Sequence, residues 1–211
     1  MFFITGVLLL AACNENPDTV LQPPHDYFPL SVGNYWIYDH YEVMETGEET
    51  LTGRRDSIYI EKVKLIGSDV YYIIKGSRFL CGHFFTSQDY QVIRDSSGYL
   101  INENGSVFMS SVCFGETLNE FADTMPDGDT LYSGIYSMQT EPAEVSVPAG
   151  SFDVINCRVK ITVFEEDERK VRYSDNLFAE DVGEVLDSYF YLSQTDRHYE
   201  KRLVCYQVAS D

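Results

Sequence analysis

From Ile155 to Val163 the chain alternates apolar and polar side chains without a break. Ile155, Cys157, Val159, Ile161 and Val163 fall on one side of an extended backbone, and Asn156, Arg158, Lys160 and Thr162 on the other. A period of two marks a strand with one face in a core and one in water. Strand-like stretches recur between turn residues at 34–43, 57–66, 70–79, 90–94, 107–114 and 130–138, and no window carries a sustained helical stripe. The chain therefore reads as all-β, an antiparallel sheet with few or short helices.

The C-terminal third reads as a meander. Glu165-Glu166-Asp167-Glu168 forms an acidic hairpin tip, and the return strand from Arg169 is basic. A second hairpin runs from 183–192 through the polar Ser193-Gln194-Thr195-Asp196 into 197–208. Residues 115–128 break the rhythm, with Glu116, Glu120, Asp123 and Asp127 near Pro126 and Gly128, and are expected as a long surface loop or a short helix.

A hydrophobic content of 44%, with 16 Tyr and 13 Phe, is enough to bury a sizeable core, so the chain is expected to fold rather than stay disordered. Asp and Glu number 34 against 15 Lys and Arg, a formal charge of −19. Such a surface repels phosphate polyanions and anionic lipid surfaces on approach, and argues against a nucleic-acid partner.

The first residues, Met1 to Ala12, are an apolar run too short to span a bilayer as a helix, and they end in small side chains before Cys13. Leu10-Ala11-Ala12-Cys13 resembles the lipobox of bacterial lipoproteins, although no Lys or Arg precedes the run. The resemblance implies a signal peptide at 1–12 and acylation of Cys13. Residues 13–26, with Pro17, Pro23 and Pro24, then read as a flexible tether, and 27–211 as a single β domain. Acyl chains contribute about 0.8 kcal/mol per buried methylene, which would hold the domain at a membrane through lipid alone. The expected location is the bacterial envelope, at the outer membrane, and Asn14-Glu15-Asn16 leaves periplasmic and outward-facing display both open.

Cys81, Cys113, Cys157 and Cys205 remain as an even set in a compartment that permits disulfides. Their spacing chooses none of the three pairings. Four buried free thiols are the alternative, since Cys157 and Cys205 lie in apolar strands where cysteine acts as a small hydrophobe.

Three segments carry a wider resemblance: Tyr27-Phe28-Pro29-Leu30 with Gly33-Asn34-Tyr35-Trp36, then Val147-Pro148-Ala149-Gly150-Ser151-Phe152, then Phe178-Ala179 with Val182-Gly183-Glu184. Together they resemble a family of uncharacterised bacterial envelope lipoproteins with the pattern Y-F-P-L-x-x-G-N-x-W, V-P-A-G-T-F and Y-Y-A-x-G-V-G. The chain departs from it at Ser151, at Leu177-Phe178 and at Asp181. The resemblance implies a curved antiparallel half-barrel, similar to the periplasmic lipoprotein carriers that shield acyl chains, and no shared activity. A β-sandwich is the alternative on the strand pattern alone. Read physically, Pro29 and Gly33 shape the start of the first strand, Trp36 and Tyr38 share one face of it, and Pro148 and Gly150 form a turn.

Signatures of chemistry are weak. The chain has no G-x-S-x-G elbow, and His25, His40, His83 and His198 sit in no recognised motif. Asp123, Asp127 and Asp129 around Gly128 fail the EF-hand order and read as a polar turn, so no metal is assigned. Cys81-Gly82-His83 places thiol and imidazole near one another, but neighbouring strand positions turn apart. No cofactor is implied, and the expectation is a protein without enzymatic activity.

The aromatic strands are the remaining signal. Trp36, Tyr38, Tyr189 and Tyr191 form the candidate ligand surface, either a concave sheet face holding a lipid or other apolar ligand or an exposed patch that docks a protein or glycan.

Overall fold

A computed structural model describes residues 26–76, 90–165 and 168–209. The leader at 1–12, Cys13, the tether up to residue 25 and Cys81-Gly82-His83 lie outside the described residues. Strands β1 (Tyr35–Met44), β2 (Glu49–Ile66), β3 (Asp69–Gly76), β4 (Tyr90–Asp95), β5 (Tyr99–Asn102) and β6 (Val107–Ser110) form the first half. β7 (Thr117–Thr124), β8 (Thr130–Met138), β9 (Ala143–Val147), β10 (Gly150–Glu165), β11 (Glu168–Ala179), β12 (Gly183–Tyr189) and β13 (Arg197–Gln207) form the second. No described residue is helical.

All pairings are antiparallel, and the strand order is β6-β5-β4-β3-β2-β1-β13-β12-β11-β10-β8-β7, with β9 paired to β10 at the side. The first and last strands are thus neighbours in the middle of the sheet. The two free ends of the order, β6 and β7, approach one another without forming a ladder. The result is one sheet curled almost shut around a main core, with a smaller buried cluster of Tyr71, Ile73 and Val92 on β3 and β4, a nearly closed barrel rather than a sandwich. Bulges at Ile37/Tyr38, Asp39/Tyr41, Ile60/Lys62 and Leu177/Phe178 supply the bends that curling needs.

Residues 115–128 are not a loop or helix: they contain β7, which pairs with β8 and ends in a turn closed by Met125 and Asp129. Register shifts at both ends of that ladder interrupt the alternation, and most β7 side chains are exposed, so its acids looked like loop residues. β2 begins at Glu49, well before residue 57, because its first half extends past the core and is polar on both faces. The short β5 and β9 were not expected. The Glu165↔Glu168 hairpin, the Pro148-Ala149 turn and the inward row Cys157, Val159, Ile161 and Val163 follow the sequence reading.

The three segments that carry the family resemblance meet at the end of the barrel where β1 starts, here called the proximal end. Phe28 stacks on the fully buried Trp36 with ring centroids 5.1 Å apart, and Phe178 meets Phe28 edge-on. Trp36 Nε1 donates to the Val182 carbonyl at 2.6 Å. Gly183 follows with φ of +106°, and a Cβ there would lie 3.0 Å from Trp36 Nε1, so only glycine fits. Ala149 N donates to the Leu203 carbonyl at 2.9 Å, and Phe152 meets Tyr206 edge-on.

Trp36 therefore anchors the proximal core. Trp36→Ala is expected to cost about 3–5 kcal/mol, read as a lower urea midpoint, whereas Leu51→Ala at an exposed position of β2 leaves the midpoint nearly unchanged.

Candidate functional site

Among the described residues, functional side chains gather inside the barrel wall and in a groove on its outer face. Inside, the registers His40↔Lys201 and Asp187↔Lys201 bring β1, β12 and β13 together. His40 Nε2 lies 2.6 Å from Asp56 Oδ2, and its Nδ1 lies 3.0 Å from the Tyr189 hydroxyl. Arg54 reaches Asp56 at 3.3 Å from the solvent side. Lys201 Nζ pairs with Glu184 at 2.6 Å and Asp187 at 3.4 Å, and it sits 4.7 Å over the Tyr38 ring. Tyr38 donates to the Glu184 carbonyl, and burial, with the charges of Glu184 and Asp187, pushes its phenol well above the usual value.

Hydroxyl, imidazole and carboxylate stand in the order of a nucleophile relay. His40 and Asp56 are nonetheless buried at 1% and 2% exposure, and Tyr189 at 6%, so the relay is enclosed by the wall. What the buried ions do is fix register, because a slipped strand would leave charges in a low-dielectric interior without partners.

The groove lies on the opposite face of the same strands. Leu177, Leu186 and Val145 supply its apolar surface, Phe190 and Tyr173 its aromatic walls, and its volume is about 580 Å³. The Arg172 guanidinium stacks 3.7 Å from the Phe190 ring centroid and donates to the carbonyls of Tyr191, Gln194 and Arg197. Arg158 lies 5.5 Å from the Tyr173 ring and pairs with Asp175 at 2.6 Å, which also accepts from Asn156 Nδ2 at 2.8 Å. Glu200 holds His198 at 3.2 Å and Arg202 at 2.6 Å. Ser188 Oγ accepts from the Asp175 backbone, and Ser174 Oγ donates to the Ser188 carbonyl. Asn156 Oδ1 is buried beside the groove with no hydrogen-bond partner among the described residues.

The expected ligand surface is therefore divided. Trp36 and Tyr38 do share one face, but it is the core face: both are fully buried, with polar atoms donating to backbone carbonyls. Tyr189 is buried against His40 and stacks on Tyr199 at 5.4 Å, while Tyr191 stands exposed at the rim, edge-on to both tyrosines. The opposite wall closes over the β1 face, which alternation along one strand cannot reveal. Among the residues that sequence reasoning missed are Tyr173, Leu177 and Asp175, which share the outward face of β11, and His198, which pairs with Glu200 across one residue.

Cys113, Cys157 and Cys205 are free thiols, and Cys157 Sγ lies 3.0 Å from the Phe108 carbonyl. No bridge joins these three. The Asp127-Gly128-Asp129 stretch is a turn in which Asp127 accepts from the Asp129 backbone.

No protein-family profile matches the chain, and no curated protein matches it. Two solved structures are similar. A protein from Bacteroides fragilis, described as exported and as having a YmcC-like fold, is 14% identical with a TM-score of 0.46, over 85% of this chain and 98% of that one. A protein from Parabacteroides distasonis, described as a lipoprotein, is 11% identical with a TM-score of 0.46, over 88% of this chain and 100% of that one.

Burial, with the charges of Glu184 and Asp175, pushes the Cys157 thiol up to about 12. It should stay protonated and resist iodoacetamide in the native state, while the exposed Cys205 is modified; intact-mass analysis before and after unfolding reads the difference. Burial also raises Glu200, but its hydrogen bonds and charge contacts with His198 and Arg202 outweigh that and leave the carboxyl below its usual 4.5. A carboxyl held down only in the folded chain stabilises it above the unfolded value and loses that contribution as pH falls through the folded one. Urea titrations between neutral pH and pH 3 should therefore show stability dropping below about pH 4.5, and Arg202→Met should remove part of that slope.

Proposed function

We propose that this chain is a non-enzymatic lipoprotein of the bacterial cell envelope, tethered through acyl chains on Cys13, whose β domain binds an amphipathic ligand in the groove over β11, β12 and β13. The observation that carries this reading is the position of the concavity. The barrel interior is occupied by Trp36, Tyr38, Phe178 and Lys201, whereas the groove opens on the outer wall with a volume of about 580 Å³. That volume falls within the usual range for small-molecule sites, about 300–1,000 Å³.

The chemistry of the groove favours binding over catalysis. Leu177 and Leu186 offer an apolar surface, and Tyr173 offers an open ring face for a flat or aliphatic segment. Asp175 and Glu200 are each held by an arginine, so neither is a free base. For the anchor, the support is the apolar run of Met1 to Ala12 and its ending in Leu10-Ala11-Ala12-Cys13.

Native mass spectrometry of the secreted Cys13→Ser chain tests the groove. The expected result is a stoichiometric small molecule, identified after organic extraction, that is lost in Leu177→Arg and weakened in Tyr173→Ala. A bare mass for the parent chain across repeated gentle preparations would sink the small-ligand reading. The anchor is tested in cells, where labelled palmitate should enter the native chain and not Cys13→Ser.

A further inference from the structure

Antiparallel alternation assigns every loop to one end of the barrel, and the exposed apolar side chains are unevenly shared. Among the described residues, eight of the thirteen exposed large apolar side chains lie at the proximal end. They include Val32 before β1, Val112 and Phe114 between β6 and β7, and three residues of the hairpin joining β2 to β3. In that hairpin Val63 faces Tyr72 and Leu65 faces Val70, so the four share one surface of a ribbon; Tyr72 packs against the core, and Val63, Leu65 and Val70 run past the barrel rim. Leu65 is 71% exposed, Val63 51% and Val70 47%, an apolar projection with no counterpart in the protein's own core.

The proximal end is also where the chain arrives from Cys13. Asp26 accepts from the Asp181 backbone, and Gly33 N donates to the Ile60 carbonyl at the root of the hairpin. Twelve residues lie between Cys13 and Asp26, a span that as a flexible chain would have a root-mean-square reach of about 20 Å. Lys62 and Lys64 alternate with Val63 and Leu65 on the same strand, and both are exposed. The two acids of the projecting segment are engaged: Asp69 by Arg94 at 3.2 Å, and Glu61 by Lys75 at 2.8 Å and Lys62 at 3.6 Å. In a chain of net charge −19, this edge pairs apolar tips with lysines whose stems can lie along acyl chains while the ammonium groups meet phosphates.

Resting on the reading of Cys13 as the lipidated residue, we infer that the proximal end faces the bilayer, and that Val63, Leu65 and Val70 insert at the acyl–headgroup boundary of the membrane that holds the lipid. The acyl chains supply the affinity, and the hairpin supplies the orientation. The remaining surface, including the groove, then stands away from the membrane plane.

The chain has one native tryptophan, buried Trp36, which leaves a constant background. Full-length lipidated protein carrying Leu65→Trp, Val70→Trp or Leu51→Trp is reconstituted into phosphatidylethanolamine–phosphatidylglycerol vesicles with brominated acyl chains. Emission from Leu65→Trp and from Val70→Trp should fall about twofold or more, as at the depth of interfacial insertion. Leu51→Trp, near the opposite end, should be unaffected. Equal quenching at all three positions, or none at either hairpin position, overturns the orientation. The N-terminal peptide of the same preparation is weighed separately. An acylated Cys13 without hairpin quenching defeats the bilayer contact alone, and an unmodified Cys13 defeats the anchor and the contact together.

Discussion

The ladder between β1 and β13 is the interaction on which the remaining structure depends. It joins residues 35–44 to 197–207, so the first strand has no partner on that side until the last has been made. Loop-closure entropy grows only slowly with length, so the long separation is thermodynamically tolerable, but a contact of this range is slow to find. What makes the ladder specific is its register. Trp36 opposite Tyr206, Tyr38 opposite Leu203 and His40 opposite Lys201 all face inward. A slip by one residue would put an indole and an ammonium on the wrong face at once. Lys201 then fixes the next strand as well, because Glu184 and Asp187 of β12 meet it inside the wall.

That arrangement determines where a ligand can go. A barrel of this size can remain hollow or fill with its own side chains. Here Phe28, Trp36 and Phe178 plug the proximal half, and the His40–Asp56 and Lys201–Glu184 pairs occupy the wall beyond them. Burying these polar and charged groups is costly unless they are partnered, so the interior tolerates neither a ligand in their place nor water without polar partners. The same strands turn their other face outward, and there the ion pairs Arg158–Asp175 and Arg202–Glu200 border apolar Leu177 and Leu186. Strand alternation makes the two faces independent: one can be spent on closure while the other recognises a partner.

The strands legible in the sequence are those whose two faces meet different surroundings. β10 declares itself through Cys157, Val159, Ile161 and Val163, and β13 through Leu203 and its neighbours, because a core lies on one side and water on the other. β7 and the first half of β2 meet water on nearly all sides, so their composition says loop although their backbones pair. The candidate sites were less legible. Trp36 and Tyr38 were correctly placed on one face, but which strand lies across the barrel is a property of closure, and it turned a supposed ligand surface into core. Tyr173, Leu177 and His198 carry no motif and come together only because three adjacent strands project them to the same side.

The three segments behind the family resemblance are built into the packing of the proximal end. Phe28 rests on Trp36, Val182 accepts its indole proton, Gly183 leaves room for its ring, and Ala149 caps the Leu203 carbonyl. Each residue is held by another residue of the same constellation or by the core beneath it, so the pattern is a closed packing solution for one end of a barrel. Substituting any one of them acts first on the fold. The groove side chains Tyr173, Phe190, Asp175 and His198 fall outside all three segments. The plug and the groove are thus separate parts of one sheet, the first facing the core and the second lying on the outward side of β11 to β13.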